Sequence, residues 1–196
     1  IYGAGIMGRP GIASSLFPTL SDSGINIRLI ATSEVKVSCV IDAELGKKAL
    51  RSVGEVFKLN NKQMTINPIV ENNNEPEVRG IALDKDQIQV SVKNIPDKPG
   101  TASTICSILA EKNISLDTIV QSERINKDNT KDISFTLKKN DINEAKYALE
   151  ELISNWKGSK LEEGNEIVRI SAVGSGMPFT KGTAGKIFRA LANEKI

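Results

Sequence analysis

Apolar residues along the chain recur in an order that is repeated three times. In each copy, a loop rich in glycine and proline precedes apolar residues spaced three or four positions apart, which is the spacing of one helix face. The loops are aligned by their glycines, Gly11, Gly100 and Gly182. The last apolar position of each helix is then a leucine: Leu20, Leu109 and Leu191. The pattern predicts an internal repeat with a period of 82 to 89 residues.

After this helix, the first two copies continue with the same succession of elements. One strand is predicted at residues 25–30 and 114–120, and the next strand alternates apolar with polar positions. A second amphipathic helix closes each copy. Its apolar stripe is Leu45, Ala49 and Val53 in one copy and Ile142, Ala145, Leu149 and Leu152 in the other. The order β-α-β-β-α, completed by one more strand, predicts an α+β fold of ferredoxin-like units, with antiparallel sheets covered by helices on one face.

The copies divide the chain into predicted domains, with a cut unit at each end. Residues 1–62 form the first unit, which lacks its first strand, and residues 63–77 form an asparagine-rich linker. Residues 78–165 form a complete unit, and residues 166–196 begin a further one. A single ferredoxin-like unit buries only a modest core, so pairing between units is expected.

Three segments of the complete unit have weaker patterns. Residues 78–83 are predicted as a short strand. The polar run at residues 127–132 predicts a long hairpin loop that is present in this copy only. The charged stretch at residues 157–166 predicts a solvated connection.

Composition limits the chemistry that the 196 residues can perform. Lys and Arg number 26 against 24 Asp and Glu, a net charge of +2, so no basic surface for nucleic acid is predicted. No apolar run approaches the roughly 18 residues of a membrane-spanning helix. Histidine is absent, which removes histidine-based catalysis and most transition-metal sites. No catalytic residue, metal site or cofactor is predicted for this chain.

The two cysteines, Cys39 and Cys106, fall on the apolar faces of a predicted strand and a predicted helix. One disulfide is arithmetically possible, but no secretory signal accompanies them. Buried reduced thiols are the favoured interpretation, and they indicate a reducing compartment such as the cytoplasm.

The segment GAGIMG at residues 3–8 matches the glycine pattern of a dinucleotide-binding turn, and Glu34 follows at a plausible distance. However, residues 35–41 form a second predicted strand where a dinucleotide-binding unit would place a helix. The other two copies also lose the glycine pattern. Nicotinamide binding is therefore kept only as an alternative.

The loop before the second predicted helix combines two kinds of binding group. The amides of Thr101 and Ala102 would be free donors at a helix N-terminus, and Gly100 lets a ligand approach the backbone. Asp97 beside them can pair with a cation. A carboxylate-binding and an ammonium-binding element in one loop suit a free amino acid. The alternative is that Asp97 only caps the helix and Pro99 only begins it.

Polar groups in neighbouring strands are candidates to contact the same ligand. Residues 32–34 (TSE) end a strand in the first copy, and residues 121–123 (QSE) occupy the same place in the second. The aligned Asn26 and Ser115 lie in the strand that faces the loop. The alternative is an ordinary polar hairpin connection.

Several short segments resemble the regulatory region of the aspartate kinase family. Residues 78–84 (VRGIALD), 95–102 (IPDKPGTA) and 132–136 (DISFT) resemble its first ACT domain. Residues 31–38 (ATSEVKVS) resemble its second, and residues 168–176 (VRISAVGSG) resemble the start of another second-type domain. This order implies two tandem ACT pairs, as in the cyanobacterial members, within a parent protein whose kinase domain is outside this chain.

The resemblance implies a regulatory function. In this family the kinase domain phosphorylates aspartate with ATP and Mg²⁺, which are cofactors of that domain and not of this chain. The ACT region binds lysine, threonine or both at ACT–ACT interfaces and inhibits the kinase by feedback. The implied partners are the free amino acid, the kinase domain of the parent chain and a second copy in a homodimer formed through ACT domains.

By resemblance, the effector contacts of the family map onto both units. In the second unit they are Asp97, Gly100, Thr101, Ala102, Asn113, Ile114 and Gln121. In the first unit they are Asn26, Ile27, Ser33 and Glu34. Ser115 stands where the family commonly has asparagine. A stand-alone ACT module that senses another amino acid is the alternative function.

Overall fold

The structure is a computed structural model, and it describes residues 1, 12–33, 36–59, 64, 76–122, 126, 128–174, 176–177 and 180–196. The chain forms two compact units. Unit 1 consists of Ile1–Met64 and Asp86–Ile167, and unit 2 consists of Thr65–Lys85 and Val168–Ile196. The domain boundaries predicted above follow the sequence repeats and not these compact units, so they stay predictions.

Helices and strands follow one another in the order that the repeats predict. The helices in the described residues are α1 (Ile12–Asp22), α2 (Gly46–Val56), α3 (Thr101–Glu111), α4 (Ile142–Ile153) and α5 (Thr183–Asn193). The described strands are β1 (Leu29–Ser33), β2 (Lys36–Val40), β3 (Gly80–Pro96), β4 (Thr118–Gln121), β5 (Thr130–Lys138) and β6 (Lys160–Val173). Single 3₁₀ turns at Ala43–Leu45 and Lys139–Asp141 lead into α2 and α4.

The six strands of the described chain form one sheet in the order β2-β1-β4-β5-β3-β6. The pairs β1–β2, β1–β4, β4–β5 and β3–β5 are antiparallel. Strand β1 belongs to the first repeat and β4 to the second, and Ile30 lies opposite Gln121 across their pairing. The sheet therefore continues from one repeat into the next. The predicted α+β fold of ferredoxin-like units with antiparallel sheets is confirmed.

The core of unit 1 lies between this sheet and its helices. In β5 the alternate residues Ile133, Phe135 and Leu137 are buried, while the positions between them are partly exposed. Helix α1 packs against α3, and Phe17 and Leu109 from these two helices are buried in the same core. Removal of this apolar surface from water is the main driving force for joining the two repeats.

Both cysteines are free thiols that pack in or against this core, as predicted. Cys106 is buried on α3, and Cys39 is partly buried on β2. Burial raises the pKa of each thiol to about 12, because a thiolate is poorly solvated in apolar surroundings. The two thiols are therefore uncharged at neutral pH and contribute packing rather than reactivity.

Unit 2 contains α5 and the ends of β3 and β6 that lie outside unit 1, because the boundary between the units falls within both strands. The Arg79 N–H donates a hydrogen bond of 2.7 Å to the Val173 carbonyl. The Arg169 guanidinium lies 2.9 Å from the Asp84 carboxylate. These contacts join the segment before residue 86 to the segment after residue 167.

Three segments differ from the sequence predictions. Residues 80–83 of the strand predicted at residues 78–83 are part of the 17-residue strand Gly80–Pro96, and residues 78–79 lie before it. Residues 130–132, predicted in a hairpin loop, belong to β5. The stretch predicted as a solvated connection contributes its residues from Lys160 onward to β6.

Strand β6 is an edge strand of the sheet formed by the described strands, and its sequence is as polar as that of a loop. Glu163 pairs with Lys146 at 2.7 Å, and Glu166 pairs with Lys139. A strand at a sheet edge is half solvated, so charged side chains suit it and few apolar residues are needed. Hydrophobic alternation, the usual signal of a strand, is correspondingly weak in this stretch.

The described residues were compared with the requirements of a membrane-spanning helix and of a metal site. None of their helices is both long enough and apolar enough to cross a membrane. Within the same residues, no three His, Cys, Asp or Glu side chains are grouped so that they could hold a metal ion.

Candidate functional site

The loop between β3 and α3 is folded tightly against the start of the helix. Gly100 has a φ of +96°, a left-handed conformation that residues with a side chain rarely adopt. The Thr101 hydroxyl donates to the Pro96 carbonyl at 2.8 Å. The N–H and the hydroxyl of Thr104 both donate to the Gly100 carbonyl, at 2.8 and 3.0 Å. These bonds fix the loop backbone next to the first turn of α3.

Asp97 in this loop is held by two residues that are distant in sequence. Nδ2 of Asn26 donates to Oδ1 of Asp97 at 3.1 Å, and the Lys131 ammonium lies 3.0 Å from the same oxygen. The side chains of Lys131 and Asp97 are only 3% and 14% exposed, so this is a largely buried ion pair. Gly100 holds the N-cap position of α3, so Asp97 does not act as the helix cap, which was the alternative for this residue.

The Lys131 ammonium has further partners in the segment that follows α1. It donates to the carbonyl oxygens of Ile27 and Arg28, at 3.5 and 3.3 Å. Together with Asp97, these carbonyls supply one acceptor for each of the three ammonium protons. Such full compensation allows a lysine to be buried, since an unpaired buried charge costs on the order of several kcal/mol. Lys131 thus joins β5 to loops from both repeats.

Gln121 of β4 contacts the same carbonyl as Lys131, that of Ile27. Its side chain is buried, and its Nε2 donates to the Ile27 carbonyl at 3.3 Å. Because Ile30 lies opposite Gln121 in the sheet, the pairing of β1 with β4 determines the position of this side chain. Asn26 and Ile27 from the first repeat and Asp97 and Gln121 from the second therefore form one hydrogen-bonded cluster.

This cluster lines a cleft at the junction of the first two repeats, within unit 1, which we call the inter-repeat cleft. Its apolar lining comes from Phe17, Ile25 and Ile95, and all three are buried core residues. A polar ligand would therefore bind over an apolar floor, where hydrogen bonds and charges are less screened than in water.

The inter-repeat cleft offers groups that match both charges of a free amino acid. Both side-chain contacts of Asp97 end on Oδ1, so its Oδ2 meets no donor among the described residues. The N–H groups of Ala102 and Ser103, at the start of α3, likewise meet no acceptor in the described part of the chain. A carboxylate oxygen accepts from an ammonium, and amides at a helix N-terminus bind a carboxylate. One loop can therefore bind both ends of a small zwitterion.

The structure brings most of the predicted contact residues together. Those that line the inter-repeat cleft are Asn26, Ile27, Asp97, Gly100, Thr101, Ala102 and Gln121. Their convergence follows from the β1–β4 pairing, which aligns the segment after α1 with the loop before α3. Their role as ligand contacts stays a prediction.

The remaining predicted contacts do not line this cleft. Asn113 follows the far end of α3 with a φ of +57°, and the N–H of the buried Ile114 donates to Leu109 at 2.9 Å. An 11-residue helix is about 16 Å long, so both residues are remote from the Asp97 loop. Ser33 is exposed at the end of β1. Glu34 and the glycine segment at residues 3–8 lie outside the described residues.

Lys131 is absent from the residues that the sequence predicts for this site. The signal that could have found it is the alternation of β5, because Lys131 lies on the same strand face as Ile133, Phe135 and Leu137. Its neighbour Asp132 lies on the other face of the strand. A lysine at a position of the strand where apolar residues alternate inward is expected to be buried, and a buried lysine is expected to pair with a carboxylate.

Comparisons with known proteins agree with this architecture. Two family models, both described as ACT domain, match residues 1–57 and 88–155. Aspartokinase from Helicobacter pylori (strain ATCC 700392 / 26695) is 40% identical over 121 residues, which are 62% of this chain and 29% of that protein. The first ACT match includes the glycine segment at residues 3–8, so that segment belongs to an ACT domain rather than to a dinucleotide-binding unit.

Two solved structures extend the likeness. Aspartate kinase from Synechocystis superposes with a TM-score of 0.90 at 43% identity, over 99% of this chain and 33% of that chain. The regulatory subunit of aspartate kinase from Thermus flavus superposes with a TM-score of 0.55 at 34% identity, over 60% of this chain and 76% of that chain.

Paired ferredoxin-like repeats with a cleft at their junction are the architecture of a regulatory ACT module. The chain belongs to the aspartate kinase family, of which it is a regulatory ACT region. The match spans 29% of the length of the Helicobacter pylori relative and 33% of the Synechocystis kinase.

Proposed function

We propose that this chain binds a free amino acid, lysine or threonine, in the inter-repeat cleft, and that binding inhibits the kinase domain of its parent protein by feedback. The observation that carries the proposal is the chemistry of the β3–α3 loop. There, the open oxygen of Asp97 and the free amides of Ala102 and Ser103 lie within seven consecutive residues. These groups complement the ammonium and the carboxylate of an α-amino acid.

Regulation follows from the position of the cleft between two repeats. A ligand that contacts the Asp97 loop and the segment around Asn26 stabilises the arrangement in which these segments are in contact. A kinase domain that is inactive in that arrangement loses activity as the ligand shifts the population. Coupling of this kind is typically about 1–3 kcal/mol, a change in affinity of roughly 5- to 150-fold.

The proposed partners follow from the relatives. One solved neighbour is named as a regulatory subunit of aspartate kinase, and other relatives are whole aspartokinases of which this chain matches less than a third. We therefore assign to the parent protein a kinase domain that uses ATP and Mg²⁺, and a homodimer formed through ACT domains. The free thiols Cys39 and Cys106 support a location in the cytoplasm.

The direct test is isothermal titration calorimetry of the full chain with lysine and with threonine at millimolar concentration. Binding of at least one of them is expected, and Asp97→Asn should weaken it about a hundredfold, because a charge-assisted contact to the ligand ammonium is lost. The control is Asp42→Asn, which alters an exposed carboxylate paired with Arg28 outside the cleft. Absence of heat with both amino acids would contradict the proposal.

A second measurement connects binding to regulation. In the parent kinase, the amino acid that binds the cleft should inhibit aspartate phosphorylation, and Asp97→Asn should raise the amino-acid concentration needed for half-inhibition about a hundredfold. If binding occurs and the kinase is not inhibited, the chain is an amino-acid sensor with a different output.

A further inference from the structure

We infer that Lys131 selects the ligand of the inter-repeat cleft by charge, favouring amino acids with an uncharged side chain over those with a cationic one. The inference rests on the proposed function, because it names the class of ligand for the same cleft. Lys131 acts on the ligand through Asp97 and through its own charge.

The residues that line the cleft balance one another in charge. The charged residues that line it are Asp97, Lys131 and Lys98. The ammonium of Lys131 is buried and fixed, whereas Lys98 is exposed at the rim. The N-terminus of α3 adds a partial positive charge on the same side. The single carboxylate is therefore already balanced by a buried cation before any ligand enters.

A zwitterionic ligand has a partner in the cleft for each of its two charges. Its ammonium can use Oδ2 of Asp97, and its carboxylate can use the free amides at the start of α3. A ligand with an uncharged side chain adds no net charge to this arrangement. A lysine ligand brings a second ammonium, for which no further carboxylate lines the cleft in the described residues. Repulsion from Lys131 then opposes its binding.

Lys131 cannot leave its position without losing all of its hydrogen-bond partners. Its three protons are committed to Asp97 and to the carbonyls of Ile27 and Arg28, and its side chain is 3% exposed. The apolar floor of the cleft keeps water from screening its charge. Its contact with Oδ1 also leaves Oδ2 as the oxygen that remains open to a ligand. Lys131 is therefore a positioning residue as well as a source of fixed positive charge.

The experiment compares lysine with norleucine, which has nearly the same shape but lacks the side-chain ammonium, and with threonine. Calorimetry on the full wild-type chain should show norleucine or threonine binding about tenfold or more tightly than lysine. Lys131→Met leaves Asp97 without its buried partner and should move the lysine-to-norleucine affinity ratio toward lysine by about tenfold or more. Lys131→Arg keeps the charge and should keep the wild-type ratio.

The exposed Lys98 supplies a matched control. Lys98→Met removes the same charge from the rim of the cleft, where water screens it, and should change the ratio much less than Lys131→Met. Equal changes in the two variants would contradict the role of the buried lysine. If Lys131→Met does not fold, equal affinity of the wild-type chain for lysine and norleucine still overturns the inference.

The outcomes separate this inference from the proposed function. If no amino acid binds the wild-type chain, the proposed function fails, and the inference fails with it. If amino acids bind but lysine binds as tightly as norleucine, the proposed function stands and selection by Lys131 is wrong. A ratio that favours norleucine in the wild type and shifts in Lys131→Met, but not in Lys131→Arg, supports both.

Discussion

Nδ2 of Asn26 lies 3.1 Å from Oδ1 of Asp97, so the first repeat forms a direct hydrogen bond to the β3–α3 loop of the second across 71 positions of sequence. Lys131 approaches the same oxygen at 3.0 Å. Together the two donors determine how the Asp97 carboxylate is turned and which oxygen stays open. The orientation of the proposed binding group therefore depends on contact between the repeats.

Asn26→Ala should weaken amino-acid binding about tenfold, because Asp97 loses one of the two donors that orient it. The expected loss of stability is about 1.5–3 kcal/mol, the usual range for a hydrogen bond to a charged group. Calorimetry and urea unfolding measure the two effects. Asn155→Ala, which changes an exposed asparagine after α4, is the control and should leave binding unchanged. Unchanged binding in Asn26→Ala would show that the hydrogen bond from Asn26 to Asp97 does not contribute to ligand affinity.

Asp97→Asn should destabilise the fold by about 3 kcal/mol, because it leaves the buried Lys131 ammonium without its counter-ion. Urea denaturation monitored by circular dichroism measures the change. The exposed pair of Arg28 and Asp42 is a matched comparison, since its side chains are 45% and 50% exposed. Asp42→Asn should cost less than about 1 kcal/mol. Similar losses in the two variants would mean that the Lys131 ion pair is effectively solvated.

Gly100→Ala should destabilise the chain by about 1–3 kcal/mol, because a φ of +96° is strained for any residue with a side chain. In addition, a Cβ at this position would lie 3.0 Å from Oγ of Ser21 on α1. Thermal or urea unfolding measures the cost. Gly182→Ala supplies the comparison, since Gly182 has a φ of +90° with nothing within 4 Å of a Cβ. The difference between the two variants isolates the contact with α1.

Gly46→Ala should stabilise the chain, in contrast to the substitution at Gly100. Gly46 begins α2 with a helical φ of −56°, and a Cβ there would have nothing within 4 Å. Alanine restricts the unfolded chain more than glycine does, so a gain of about 0.4–1 kcal/mol in the free energy of unfolding is expected. The same unfolding measurement tests it. A loss of stability in this variant would show that the start of α2 is constrained by contacts outside the described residues.

The free energy of unfolding should fall as the pH rises from about 9 to about 12. Burial raises the pKa of Cys106 from 9.0 to about 12, so the unfolded chain loses the thiol proton before the folded chain does. Stability from the neutral thiol is complete below pH 9 and is lost through this window, with a slope of up to about 1.4 kcal/mol per pH unit. Cys106→Ala should show a shallower slope in urea unfolding at several pH values. Identical slopes would contradict the burial of this thiol.

Helices were more predictable from this sequence than strands. The apolar spacing around Ile105 and Leu109 predicts α3, and both residues are buried on that helix. The strand predicted at residues 25–30 is displaced, since β1 begins at Leu29. Ile25 and Ile27 are buried core residues of the segment before the strand. Apolar residues show that a segment enters the core, but they do not show whether its backbone pairs with a neighbouring strand.

The candidate site was predictable where its chemistry is local. Asp97, Gly100 and the first amides of α3 belong to one loop, and the residues of that loop define its turn and its donors. The contacts of Asp97 with Asn26 and Lys131 depend on the pairing of β1 with β4 and on the register of β5. These long-range relations are not encoded in any short pattern, so the partners of the buried lysine could not be predicted, although the alternation of β5 indicates which strand face it lies on.

Both halves of the inter-repeat cleft belong to one polypeptide, and the pairing of β1 with β4 brings them together. Assembly of the cleft is therefore intramolecular, and its equilibrium does not depend on the concentration of the protein. A site divided between separate subunits would release its ligand on dilution. A ligand in this cleft would instead be half-bound at the same free concentration whether the protein is scarce or abundant, so the response would report the ligand level alone.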